Sequence, residues 1–234
     1  MESVLNASLQ VVAERFATQD GLYEASLERD WSSRSSGPLQ NPLMHLAEAL
    51  LATLSVREDD AVQAALIGLC TAMQQHFIDP EHGVLMEKPL GAVDNWFEPG
   101  HQFEWYFLLE SSPLLHDSAL HASIKRAFRF TERLGVDQNT GAVKATLVLE
   151  HDGVPRDATQ RIWAQAEYLR ALTLRPDSEA NVLHQLQTLQ RRFLHAGGWH
   201  ECRAVNGEVS RRDMPSTTPY HLATCYRGLV EYLG

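Results

Sequence analysis

His82-Gly83-Val84-Leu85-Met86-Glu87 is a glycine turn followed by a short strand-like run, and three other stretches read the same way. They are Asp20-Gly21-Leu22-Tyr23-Glu24, Thr140-Gly141-Ala142-Val143-Lys144 and Gly197-Gly198-Trp199-His200-Glu201. Their glycines, Gly21, Gly83, Gly141 and Gly198, recur 62, 58 and 57 residues apart. That interval is one helix pair plus a loop, so internal repetition is the first feature to explain.

Between the turns, apolar residues fall at helical spacing, as in Val62, Leu66, Leu69, Met73 and in Val182, Leu186, Leu189, Phe193. The pattern predicts helices near 2–17, 41–55, 58–77, 100–111, 115–134, 159–174, 178–195 and 217–233. Tight links, Ser55-Val56-Arg57 and Ser111-Ser112-Pro113, alternate with the long glycine loops. Such alternation favours an all-α toroid over a stacked solenoid, with inner helices lining a cavity, outer helices covering them, and short β-hairpins in the long loops. Residues 1–234 are expected to form one domain, with the long loops building the site at one end.

Composition narrows the function. The chain has 234 residues, 44% hydrophobic, and a formal net charge of -10, which argues against a nucleic-acid surface and favours a small polar partner. It has no apolar run long enough to span a membrane and no signal-peptide pattern at Met1-Glu2-Ser3-Val4, so a cytoplasmic location is expected. Three cysteines, Cys70, Cys202 and Cys225, lack both disulfide-framework and zinc spacing.

The repeat aligns four polar helix openings: Asn41-Pro42-Leu43-Met44-His45 with Glu48, Glu98-Pro99-Gly100-His101 with Glu104, Arg161-Ile162-Trp163-Ala164-Gln165-Ala166-Glu167, and Thr217-Thr218-Pro219-Tyr220-His221. All four should converge on one mouth of the cavity. His45 with Glu48 and His101 with Glu104 are both His-x-x-Glu, which on a helix lets a carboxylate hold one imidazole nitrogen while the other does chemistry. A di-iron site would need Glu-x-x-His with further acids; the reversed order disfavours a metal, and none is expected. Trp31, Trp96, Trp163 and Trp199 lie on or beside loops and helix starts, where flat apolar faces suit sugar rings. His76, His82, His116, His121, His151, His184 and His195 show no repeat alignment and are expected to be solvated or structural. No P-loop, dinucleotide fingerprint or nucleophile elbow is present.

These openings, in this order and spacing, resemble the N-acylglucosamine 2-epimerase superfamily, with its mannose isomerases and cellobiose 2-epimerases; the Glu-Pro-Gly-His and Glu-Trp pairs are most similar to mannose isomerase-type members. The resemblance implies an (α/α)6 barrel acting on sugars without a cofactor. It implies that His101 and His221 exchange the proton at C2, that His45 contacts the sugar and assists ring opening, and that Glu104 supports His101. Asn41, Glu48, Trp96, Arg161, Trp163, Gln165, Glu167 and Trp199 are then expected around the substrate. Isomerisation of an aldose to a ketose and epimerisation at C2 both remain open, because both histidines are present.

The chain departs from the family in length. Members have six helix pairs, whereas about eight helices are predicted here, so the barrel is expected to be incomplete, as if starting on roughly the fourth helix of a member. A family arginine from that early part is then missing, and the first and last inner helices would expose apolar flanks. A shortened product, a chain completed by a partner or a second copy, and a smaller arrangement all fit. The alternative to an isomerase or epimerase is a non-catalytic carbohydrate-binding or interaction protein derived from the family.

Overall fold

In the computed structural model, which describes residues 2–32, 37–149, 154–176 and 178–234, each glycine turn closes a small antiparallel hairpin. Single bridges join Ala17 to Tyr23, Ile78 to Leu85 and Val136 to Val143, and Leu194–His195 pairs with Gly198–Trp199. The repeat read from glycine spacing is therefore a repeat of backbone structure. Gly83 and Gly141 hold φ of 75° and 70°, a region costly for residues with a Cβ. Close approach excludes a side chain as well. A Cβ on Gly83 would lie 2.7 Å from the Ser123 carbonyl oxygen, and one on Gly141 would lie 2.9 Å from His184 Nε2 and Thr188 Oγ1.

The described residues form eight α-helices: α1 (Glu2–Val11), α2 (Gln40–Val56), α3 (Asp60–His76), α4 (Pro99–Glu110), α5 (Ala119–Gly135), α6 (Ile162–Leu172), α7 (Glu179–Phe193) and α8 (Thr218–Leu233). Helix α1 ends in a wider π-type turn, Val12–Phe16. The starts are chemically marked. Asp59 accepts hydrogen bonds from the N–H groups of Ala61 and Val62, and Ser118 from that of His121, which satisfies otherwise orphaned donors. Pro99 and Pro219 stand in the first turns of α4 and α8, where a missing N–H costs nothing.

Helices α2, α4, α6 and α8 lie side by side in that order, and α3, α5 and α7 pack on α2, α4 and α6 from outside. This is the helical toroid expected, built as an arc. Pro99 to Leu109 and all of α6 are buried, so these two helices have no solvent stripe to detect. Phe103 of α4 packs on Tyr168 of α6 at 4.5 Å between ring centroids, and on Phe128 of α5 at 5.1 Å. The last inner helix, α8, leaves Tyr226, Val230 and Leu233 exposed, as an open arc should.

Further hairpins fill the loops. Thr146–Leu147 pairs with Pro155–Asp157, and Gln160–Arg161, Cys202–Arg203 and Val209–Arg211 form a three-stranded sheet. A small apolar cluster of Val84, Met86, Phe97, Ala127 and Leu147 pins the second glycine loop against α5. Cys70 is core. His121 is structural, bonding Glu110 at 2.6 Å and the His116 carbonyl at 2.7 Å. His151 lies outside the described residues. No helix among the described residues is long and apolar enough to cross a membrane.

Candidate active site

Asn41, His45, Glu98, His101, Arg161, Trp163, Thr217, Thr218 and His221 line one cavity of about 250 Å³. All four helix openings contribute, as the repeat alignment predicts. Trp163 is the centre of the wall, its ring centroid 4.9 Å from that of His101 and 5.3 Å from that of His221. The Arg161 guanidinium lies 5.6 Å from the same indole centroid.

Each of the two histidines is anchored through Nδ1. His221 Nδ1 lies 2.8 Å from Glu167 Oε1, and Glu167 accepts from Arg170 Nη1 at 3.3 Å through its other oxygen. His101 Nδ1 lies 2.8 Å from Glu87 Oε1. That corrects the expected support by Glu104. Helical spacing puts His101 and Glu104 on one face, but the His101 ring turns back over the first turn toward the glycine loop, while Glu104 faces the interior. The His45–Glu48 pair does form, at 3.4 Å from Nδ1 to Oε2.

Glu48, Glu104 and Glu167 stand at equivalent places on α2, α4 and α6 and converge. Glu104 is fully buried with neither carboxylate oxygen hydrogen-bonded. Burial first, then the charges of Glu167 and Glu48, push its carboxyl well above the usual range, which favours its protonated form. Burial would also raise Glu48, but hydrogen bonds from His45 and Tyr220 and the charge of Arg170 hold it below the usual value. Burial raises Glu98. His101 is lowered by burial, but the charges of Glu87 and Glu98 outweigh this and leave it above its ordinary value.

Three groups have ligand atoms within 4.8 Å of one another and could share an ion: His45, Glu48 and Glu104; Glu87, Glu98 and His101; and Glu104, Glu167 and His221. In each, the histidine already spends one ring nitrogen on a carboxylate.

Several expected residues lie elsewhere. Glu48 lines a second cavity of about 700 Å³, which also touches Phe107, Arg170, Tyr220 and Arg227. Gln165 is a buried clamp, accepting from Val143 N–H at 2.8 Å and donating to its carbonyl at 2.9 Å. Trp96 is held between Lys88 and Arg156, 4.9 and 4.8 Å from its ring, and Trp199 donates to Glu201 at 3.1 Å. Trp31 packs edge-on against Phe16. Only Trp163 of the loop tryptophans reaches the cavity wall.

Sequence reading missed Glu87, Arg170, Thr218 and Glu201. Thr218 donates to Glu201 at 2.8 Å. A signal was present: Glu87 and Glu201 each close a quoted glycine stretch, and Arg170 is three residues beyond Glu167 on one helix face.

The family model described as N-acylglucosamine 2-epimerase (GlcNAc 2-epimerase) matches residues 1–225. A mannose-6-phosphate isomerase of Rhizobium meliloti (strain 1021) is 29% identical over 260 residues, covering 96% of this chain and 66% of the relative. A solved D-mannose isomerase superposes with a TM-score of 0.79 at 19% identity, covering 98% of this chain and 66% of that one. A cellobiose 2-epimerase from Bacillus thermoamylovorans B4167 gives 0.80 at 16% identity, with the same coverage. The chain thus spans about two thirds of the length of these relatives.

Proposed function

Since the chain belongs to the N-acylglucosamine 2-epimerase family, we propose that it is a sugar isomerase or epimerase that moves the proton at C2 of an open-chain aldose through His101 and His221. The observation that carries this is the pair of imidazoles packed on Trp163, each held through Nδ1 by a buried carboxylate. Each keeps Nε2 for the substrate. Proton removal beside a carbonyl needs a base at carbon and an acid at oxygen, and imidazole suits both near neutral pH.

In the proposed sequence one histidine takes the C2 proton while the carbonyl oxygen gains one, giving a cis-enediol. Return of the proton to C1 with loss of the proton on O2 yields the ketose, and return to the other face of C2 with loss of the proton on O1 yields the epimer. His45, held by Glu48, assists ring opening, and Trp163 offers the flat face against which the sugar's C–H face packs. Glu104 and Glu167 lie buried behind this wall, where Glu167 holds His221 in place.

The substrate in this reading is an uncharged sugar of the mannose type. Glu98 lies in the wall, Glu87 behind it, and among the described residues Arg161 is the one guanidinium lining the cavity; Arg211 is tied to Asp213 at 2.6 Å. A dianionic phosphate would meet repulsion from these carboxylates. NMR of mannose and of mannose 6-phosphate incubated with the protein tests this: a ketose product from mannose alone supports the reading, and a faster reaction of the phosphate rejects it.

A further inference from the structure

We propose that Glu87 is a positioning residue for His101, present to fix the tautomer and aim of that imidazole and not to build the loop it sits in. The proposal rests on the reading above that His101 exchanges a proton with substrate. Glu87 and His101 are both buried, and Glu87 Oε1 takes His101 Nδ1 at 2.8 Å and the Glu98 N–H at 3.3 Å. A carboxylate only accepts, so a neutral His101 must carry its proton on Nδ1 and present a lone pair at Nε2. Glu87's backbone ties the surrounding walls together, donating to the Trp96 carbonyl at 2.8 Å and accepting from Gln40 N–H, the first residue of α2, at 3.1 Å.

The chain contains its own control. Gln102 accepts from Leu85 N–H at 2.9 Å and donates to its carbonyl at 2.7 Å, and Gln165 grips Val143 in the same two ways. The second and third glycine loops are therefore clamped to α4 and α6 by one device. Four residues beyond the turn glycines stand Glu87 and Ala145, and immediately before the clamping glutamines stand His101 and Ala164. The backbone is unchanged between the two: Glu87 N–H meets the Trp96 carbonyl and Ala145 N–H meets the Thr159 carbonyl, both at 2.8 Å. Of these two loops, the one facing His101 carries Glu87 and the one facing Ala164 carries Ala145; in the first repeat, where the loop carries Ala25, His45 meets Glu48 of its own helix instead. The loop closes without the carboxylate, so its use is the imidazole.

Charge supports the same conclusion. His101 is faced by Glu87 from the loop, Glu98 from its own helix start, and Arg161 and Trp163 from the start of α6. Burial and Arg161 oppose a proton on the ring, and the two glutamates outweigh them. Glu87 thus lets a buried histidine remain protonatable near neutrality.

The test is NMR of imidazole-labelled 15N protein, with the His101 resonances assigned from a His101→Ala sample. In wild type the neutral ring should be the Nδ1–H tautomer with a midpoint above 6.5. Glu87→Gln should lower that midpoint, mix the tautomers, and reduce kcat for mannose by roughly 100-fold, the low end of what acid–base groups contribute, with KM little changed. Glu87→Asp should recover part of both. An unchanged tautomer and titration in Glu87→Gln overturns the proposal whatever the activity. So does loss of the helical circular dichroism in Glu87→Gln, because the residue would then be serving the fold. If wild type turns over no sugar yet the tautomer and midpoint shift as stated, the positioning role stands and the proposed reaction fails.

Discussion

Gly100 and Trp163 touch where a side chain on the glycine would be: a Cβ there would lie 2.5 Å from the indole. The absence of a side chain on the first turn of α4 lets the ring of α6 reach the space between His101 and His221. Alanine in place of glycine within a helix usually stabilises by about 0.4–1 kcal/mol. Here Gly100→Ala should instead cost about 1–3 kcal/mol by overpacking, read as a lower urea midpoint. It should also slow sugar turnover, because Trp163 must tilt away from the two imidazoles.

Glu104 stores cost in the site. Its folded-state pKa is raised, so the fold binds its proton more tightly than the unfolded chain does. The stability linked to that proton is present below about 4.5 and is lost as pH rises toward the folded value. Glu104→Gln removes that linkage and should therefore stabilise the fold at pH 7 to 8, read as a higher melting temperature, with the gain shrinking toward pH 4. The same variant should lose turnover. A melting temperature that falls across the whole pH range would contradict this account of the residue.

Arg170 lies over Phe107, 3.9 Å from the ring centroid, and pairs with the buried Glu167. Removing one partner of a buried pair leaves an uncompensated charge and typically costs 3–5 kcal/mol. Arg170→Met should thus lower the melting temperature by roughly 6–20 °C, followed by circular dichroism at 222 nm.

For His101 the folded pKa lies above the unfolded value of 6.5, so its contribution to stability is complete below 6.5 and declines as pH rises through the folded value. Melting temperature against pH should lose that part of its slope in His101→Ala. If His101 is the base, turnover should also fall on the acid side with a midpoint above 6.5. A midpoint at or below 6.5 would be the contrary result.

The repeat was legible in the sequence because Gly21, Gly83 and Gly141 need positive φ and Gly83 and Gly141 also sit hard against the next outer helix, constraints that leave no alternative residue. The histidine positions were legible for the same reason, since equivalent helix starts face one cavity. Partners were not. Spacing along α4 says that Glu104 shares a face with His101, but a side chain's torsion decides whether it meets a neighbour on its helix or a loop residue fourteen positions earlier in the chain. Periodicity also fails on α4 and α6, whose burial on every side erases the apolar stripe. Tryptophan near a loop proved a poor guide, because Trp96 and Trp199 do not line the cavity: Lys88 and Arg156 flank the Trp96 ring and Trp199 donates to Glu201.

The most direct measurement is proton NMR of mannose in deuterium oxide with the folded protein. Loss of the C2–H signal with wild type, and its retention with His101→Ala and with His221→Ala at unchanged circular dichroism, is the predicted result. Persistence of the C2–H signal at high wild-type concentration, with calorimetry showing that the sugar binds, would contradict the account and identify a carbohydrate-binding protein.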